Sequence, residues 1–421
     1  MNLSERDRQS VWHPFTQHLT AKNNIAIVRG EDAVLYDDFG NQYIDAVSSW
    51  WTNLFGHSNK VIADSITNQL GILEHVIFAG FTHKPAVDLS EKLLSFLPDN
   101  QSKIFFSDNG STAVEVALKM AIQYWHNTGS ARKTIIAFRN AYHGDTFGAM
   151  SVGARGMFNQ PFESFLFDVE FIDLPNADNL ESVKIEFNRI VREKEVAAFI
   201  FEPLVQGSAG MLMYKAEHLD VLLTIAKKHQ VLCIADEVMT GFGRTGKIFA
   251  SHYLSNKPDI FCLSKGITGG FLPLGVTTCS QEIYDAYLSE DKLKTFFHGH
   301  SYTGNPIACA AANASMDLLS EAQATIADLV TWQSDLSSDV ANHAKVQNFR
   351  QQGTIIAFDV ITDFSSGYFN DLRDRLYTEF LNKGVLLRPL GNTVYVLPPY
   401  VINKQQLIQV YKVILEVLDT L

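Results

Sequence analysis

The sequence predicts an α/β protein: a large domain with a mixed, mostly parallel sheet flanked by helices, plus a smaller α+β domain built from both chain ends. Three observations carry this reading. Short apolar runs alternate with longer segments of helical periodicity through the middle of the chain. The runs read as buried strands, as expected where helices cover both faces of a parallel sheet. The two flanks differ: residues 21–47 read as short antiparallel strands joined by polar turns, and residues 350–421 mix strands with helices.

In chain order, IAIVRGEDAVLYDDFGNQYIDAV supplies the first flank. KIFFSD (103–108), TIIAF (134–138), VAAFIF (196–201), VLCIAD (231–236), DIFCLS (259–264) and LGVTTC (274–279) are the strands of the central sheet. Between them, STAVEVALKMAIQYW (111–125) and AEHLDVLLTIAKKHQ (216–230) repeat apolar residues at helical spacing. ACAAANASMDLLSEAQ (308–323) reads as a helix bridging the two regions. TIIAFDVI, VLLRPL and TVYVLP are strands of the second flank. The expected division is a large domain over 48–325 and a small one from 1–47 with 326–421. The chain shows no repeat, low-complexity tract or flexible linker.

Composition excludes several function classes. With 421 residues, 46% hydrophobic and 19% charged, the chain is ordinary globular protein, long enough for two such domains. Its 34 basic and 46 acidic residues give a net charge of −12 without a basic block, which argues against nucleic acid or an anionic membrane as partner. No apolar run approaches the roughly 18 residues that span a bilayer. The start, MNLSERDRQS, is polar where a signal peptide has an apolar core. Cys233, Cys262, Cys279 and Cys309 lack C-x-x-C spacing, so free thiols in a reducing cytoplasm are expected.

GFGRTGK (241–247) spells both G-x-G-x-x-G and G-x-x-x-x-G-K, the patterns of dinucleotide and nucleotide loops. The second fails because Ile248 stands where a Mg²⁺-binding hydroxyl is needed. Asp236 and Glu237 also lie on the strand leading into the loop, where such proteins place those carboxylates on another strand. The first is a weak pattern, and four residues separate Asp236 from Gly241.

In mostly parallel sheets ligands gather outside the C-terminal strand ends, and there the sequence is informative. After KIFFSD, Gly110, Ser111 and Thr112 open a helix, with Thr112-x-x-Glu115 fitting a capping box and free N–H groups suited to a phosphate monoester. After TIIAF come Tyr142 and His143, an aromatic able to stack on a flat ligand. VLCIA leads to Asp236, a buried acid that needs a cationic partner, with Val238 on the same face of an extended segment. DIFCLS leads to Lys265, beside the small residues of GITGG. A helix start for phosphate, an aromatic face, a buried acid for a pyridine nitrogen and a lysine for a Schiff base are the parts that hold pyridoxal 5′-phosphate.

SDNGSTAVEVALKMA, NAYHGDTFGAMS, EPLVQGSAGM, IADEVMTGFGRTGK, LSKGITGG and HGHSYTGNP together resemble class III (subgroup II) aminotransferases of fold type I, over nearly the whole chain. The resemblance implies that Lys265 forms the Schiff base and carries the proton. Asp236 pairs with the pyridine nitrogen, Val238 and Tyr142 lie on the two ring faces, and Gly110 and Ser111 hold the phosphate. His300 and Ser301 match a phosphate-binding turn that this family supplies from a second subunit, which implies a homodimer with active sites at the interface. GFGRTGK becomes a tight turn after the Asp236 strand, with Arg244 shaping the site.

WHPFTQ, SSWWTNLFGH (48–57) and LLRPLGNTVYVLPPY (386–400) resemble the branch acting on 8-amino-7-oxononanoate in biotin biosynthesis. This implies a substrate pocket with Trp50, Trp51, Gly299, Phe15 and Tyr395, and Arg388 on the substrate carboxylate. If the two tryptophans lie in extended chain, they face opposite ways, one to the pocket and one to the core. Members using S-adenosylmethionine as donor typically read W-H-P-Y-T and H-G-P-T. This chain has Phe15, His300 and Ser301 instead, and H-G-H-S-Y-T-G-N looks more like members that use lysine. SSWW and Tyr395 look like the adenosylmethionine group, the favoured reading. Lysine as donor stays open, as does another class III ω-amino acid aminotransferase.

Overall fold

Seven strands make the central sheet of the computed structural model, which describes residues 1–156, 158–362 and 371–421. They are β1 (Gln101–Ser107), β2 (Thr134–Phe138), β3 (Val169–Ile172), β4 (Val196–Phe201), β5 (Leu232–Asp236), β6 (Ile260–Leu263) and β7 (Gly275–Ser280). Their order is β1-β7-β6-β5-β4-β2-β3. From β6 to β3 every neighbouring pair is parallel, whereas β7 is antiparallel to both β6 and β1. Six strands therefore finish at one edge, where β7 begins: Gly275 pairs with Ser107 and Val276 with Leu263.

The sheet forms because its strands have an apolar residue to offer on both faces. All residues of β4 and β5 are buried. Ile135 and Ala137 pack with helix Gly110–Asn127 on one face, while Ile136 and Phe138 pack with the core on the other. Helix Ala216–Lys228 buries Leu219, Leu222, Leu223 and Ala226, the i, i+3, i+4, i+7 stripe its sequence predicts. Each such leucine contributes about 1.5–3 kcal/mol by leaving water. β3 is a half-buried edge strand that Glu170 interrupts, so its apolar run is too short to stand out.

Three smaller sheets complete the frame among the described residues, the least of them the two-stranded pair of Val205–Gln206 with Leu212–Met213. Ile27–Glu31, Val34–Asp37 and Gln42–Asp45 form an antiparallel meander, and Val385–Leu386 joins it in parallel beside Gln42–Asp45. VLLRPL thus keeps only two strand residues. Val346–Gln352, Ile355–Val360 and Thr393–Val396 form an antiparallel three-stranded sheet. Helix Pro306–Glu321 buries an alanine-rich face in the main core. All four cysteines are free and buried, as expected. Among the described residues no helix is long and apolar enough to cross a membrane, and no cluster of side chains could hold a metal ion.

Candidate active site

The helix after β1 begins at Gly110 and is capped by Asn109, not by Thr112 as the sequence suggested. Asn109 is extended, so its side chain reaches the Thr112 N–H (3.0 Å), and the Thr112 hydroxyl accepts from the Asn109 N–H (3.1 Å). Thr112 is already the third helical residue. Glu115 serves elsewhere: its carboxylate accepts from the N–H groups of Gly148 (2.6 Å) and Ala149 (3.2 Å). Gly110 is required by packing, because a Cβ there would lie 2.8 Å from Val238 Cγ1. Ser111 Oγ accepts from the Asp145 N–H at 3.0 Å.

Beyond β2, the Tyr142 N–H donates to Glu202 Oε1 (3.1 Å), and Gly207 N–H donates to Glu202 Oε2 (2.9 Å). Burial pushes the Glu202 carboxyl up to about 7, against the pull of His143. Desolvation and the neighbouring Asp145 carboxylate push the Tyr142 phenol upward, so it stays protonated. His143 and Asp236 are 3% and 4% exposed, with Nδ1 2.7 Å from Oδ2. A carboxylate oxygen accepts, so Nδ1 carries the proton. Asp236 Oδ1 accepts from the Val238 N–H at 3.1 Å, which folds Val238 over the helix start in a turn and not along an extended segment.

Lys265 follows β6 after a single residue, Ser264, at φ 47°, in a short 3₁₀ turn closed by Gly269. Its Nζ lies 4.5 Å from the Trp51 ring centroid. Burial lowers its pKa to about 8; Asp236 and Glu202 oppose that fall and Arg244 adds to it. A desolvated lysine with carboxylates nearby is an amine poised for nucleophilic and proton-transfer work.

The tryptophans sit in a turn that the sequence reading did not foresee. Ser48, Ser49, Trp50 and Trp51 all have positive φ (52°, 44°, 68° and 72°). This left-handed turn replaces the expected extended chain, at a cost of roughly 1–2 kcal/mol per residue. One indole still faces out and one in: Trp50 is 38% exposed and Trp51 4%. Arg388 places its guanidinium carbon 4.9 Å from the Trp50 centroid, and Phe15 packs edge-on to the same ring at 5.6 Å. Tyr395 is buried, edge-on to Trp51 at 6.1 Å. Among the described residues Arg388 forms no ion pair.

Arg244 of GFGRTGK is buried and donates to the carbonyls of Pro398 (3.0 Å), Asn53 (3.0 Å) and Trp51 (3.4 Å). Gly243 and Gly246, at φ 97° and 96°, let the loop make that turn. Lys247 donates to the His252 carbonyl (3.0 Å). The motif's cations are thus spent on the chain's own carbonyls, so the loop is not a phosphate cradle.

Gly299, His300 and Ser301 belong to a turn in which the His300 N–H donates to Thr303 Oγ1 (3.0 Å). His300 Nδ1 accepts from the Tyr302 N–H (3.2 Å), and the Tyr302 ring packs on His75. Among the described residues of one chain, none of the three hydrogen-bonds to Lys265, Asp236 or Gly110. Sequence reasoning overlooked the work of Glu202 and Asp45. Glu202 carried the same signal as Asp236, a carboxylate closing a continuous apolar run. Asp45 carried none.

These residues fit pyridoxal 5′-phosphate: the helix start has no Cβ at Gly110, Asp236 is a buried carboxylate whose ion-pair partner among the described residues is His143, and Lys265 is desolvated at the same sheet edge. Residues 17–418 match the aminotransferase class-III family. An adenosylmethionine-8-amino-7-oxononanoate aminotransferase of Synechococcus elongatus is 46% identical, covering 97% of this chain and 98% of that protein. Its namesake in Geobacter sulfurreducens is 38% identical, with 96% and 94% covered. The crystal structure of the Methanocaldococcus jannaschii protein of that name has a TM-score of 0.92 at 35% identity, with 98% of each chain covered. The chain belongs to the class III aminotransferases. It is a pyridoxal 5′-phosphate-dependent transaminase.

Proposed function

We propose that this enzyme converts 8-amino-7-oxononanoate to 7,8-diaminononanoate with S-adenosylmethionine as amino donor, a step of biotin biosynthesis. The observation that carries the reading is the wall beside Lys265, where Arg388 lies over Trp50 without an ion-pair partner among the described residues. A free guanidinium on an aromatic floor suits a long acceptor that ends in a carboxylate. Relatives at 34–46% identity that bear the adenosylmethionine-8-amino-7-oxononanoate aminotransferase name support the same substrates.

Bound at the sheet edge, pyridoxal phosphate supplies an aldehyde for the donor's nitrogen and a ring that spreads the electrons of the broken Cα–H bond. The chain supplies everything else. The free N–H groups at Gly110 and Ser111 hold the phosphate at the positive helix end. Asp236 offers a buried carboxylate to the ring nitrogen and keeps it cationic, while His143 Nδ1 fixes that carboxylate. Val238 and Tyr142 bound the ring faces, and Glu202 holds the Tyr142 backbone. Lys265 Nζ takes a proton from the donor's Cα in the first half-reaction and delivers one to C7 of the acceptor in the second. Arg388 holds the acceptor carboxylate during the second half-reaction. Phe15, Trp50, Trp51 and Tyr395 make an apolar cleft for the uncharged acceptor chain and exclude water.

The turn at Gly299, His300 and Ser301, which makes no hydrogen bond to Lys265 among the described residues of its own chain, is assigned to the second active site of a homodimer. The protein works in the cytoplasm, with a large cofactor-binding domain at 48–325 and a small domain drawn from 1–47 and 326–421. Lysine as donor is the second reading, favoured by His300 with Ser301 and by Phe15, which lacks a hydroxyl. An assay of the purified enzyme with 8-amino-7-oxononanoate and either donor decides: turnover with adenosylmethionine is expected, and turnover with lysine alone would overturn the donor assignment.

A further inference from the structure

The left-handed turn that carries both tryptophans is gripped from behind by one carboxylate. Asp45 ends strand Gln42–Asp45 and is fully buried. Its Oδ1 accepts from the N–H groups of Val47 (3.2 Å) and Ser49 (2.9 Å). Its Oδ2 accepts from Ser49 Oγ (2.7 Å) and from His57 Nε2 (3.0 Å). His57 is fixed in turn. Asn53 Oδ1 accepts from the Gly56 N–H (2.8 Å), which aims the Asn53 amide nitrogen at His57 Nδ1 (3.1 Å). Nδ1 is therefore the acceptor, and the His57 proton sits on Nε2, facing Asp45.

Serine and tryptophan do not favour positive φ by themselves. Ser48 Oγ donates to the Leu397 carbonyl (2.7 Å), and Arg244 holds the carbonyls of Trp51 and Asn53. Those bonds secure the ends of the turn; in its middle the Ser49 carbonyl accepts from Thr52 Oγ1 (3.1 Å), while Asp45 holds both the Ser49 N–H and its hydroxyl. A turn that relaxed toward right-handed φ would swing both indoles, because side-chain direction follows the backbone.

We infer that Asp45 is a positioning residue: its grip on Ser49 aims the Trp50 face under Arg388 and so sets the enzyme's preference for an acceptor that ends in a carboxylate. The inference rests on the proposed role of Arg388.

The test compares kcat/KM for 8-amino-7-oxononanoate with that for its methyl ester, in the holoenzyme and in Asp45→Asn and Ser49→Ala. The wild type prefers the free acid. In both variants the acid-to-ester ratio falls about tenfold, the size of a lost buried hydrogen bond to a charged group. Cofactor content and the absorbance of the lysine-bound cofactor stay as in the wild type. Should Asp45→Asn fail to fold, Ser49→Ala carries the test, since it removes a single hydroxyl. An unchanged ratio, with both rates lowered alike or neither lowered, would mean a merely structural role and overturn the inference. A wild type with no preference for the acid would instead remove the role of Arg388, and the inference with it.

Discussion

The guanidinium of Arg388 rests on the ring of Trp50, its central carbon 4.9 Å from the ring centroid. Arg388→Ala is expected to raise KM for 8-amino-7-oxononanoate by about 10–100-fold, as for losing hydrogen bonds to a charged group worth about 1.5–3 kcal/mol. The donor half-reaction should change far less. Arg388→Lys should recover only part, because an ammonium lacks the planar fork. Steady-state kinetics with each substrate varied in turn checks this; an unaltered acceptor KM would refute it.

Lys265 should titrate near pH 8, below its ordinary 10.5, because burial outweighs the pull of Asp236 and Glu202. The sign follows from the direction. The native chain binds fewer protons than the unfolded chain between about pH 8 and 10.5, so stability rises with pH across that window and the burial penalty is full below pH 8. Reaction of the apo-protein with pyridoxal phosphate needs the neutral amine. Its rate, followed by stopped-flow absorbance, should climb with pH and level off just above 8. A rate still climbing at pH 10 would contradict the lowered pKa.

Asp236→Asn keeps an acceptor for His143 Nδ1 but removes the buried charge. Turnover should fall by about 10²–10³-fold, the usual loss when a preorganised electrostatic partner is removed. Cofactor content should persist, since the phosphate and Lys265 remain. A loss below tenfold in single-turnover kinetics would sink this role for Asp236.

Gly110→Ala would set a Cβ 2.8 Å from Val238 Cγ1. The clash should destabilise the protein by about 1–3 kcal/mol and weaken cofactor binding. Adding Val238→Ala should recover part of the stability. Calorimetry of the single and double variants measures both effects; a single variant melting with the wild type would show that the helix start has slack.

Much of the site could be read in the sequence because one rule placed it. Tyr142, Asp236 and Lys265 each lie at or soon after the end of a continuous apolar run, and parallel strands bring such ends to one edge. Glu202 obeyed the rule after VAAFIF. What stayed hidden depends on distant partners or competing frames. Asn109 and Thr112 both fit a helix cap, and only the extended backbone at Asn109 decides between them. The reversal of β7 leaves no mark in GVTTCS, since a strand buried along nearly all its length looks the same in either direction. The left-handed turn at Ser48–Trp51 depends on Asp45, which lies outside the motif, and on its bond to His57, whose role the motif's spacing does not show.

The most direct test is borohydride reduction of the holoenzyme followed by peptide mass mapping. The account predicts one reduced pyridoxyl phosphate per chain, attached to Lys265, and none in Lys265→Ala. Label on another lysine, or a holoenzyme that takes up no label, would contradict it.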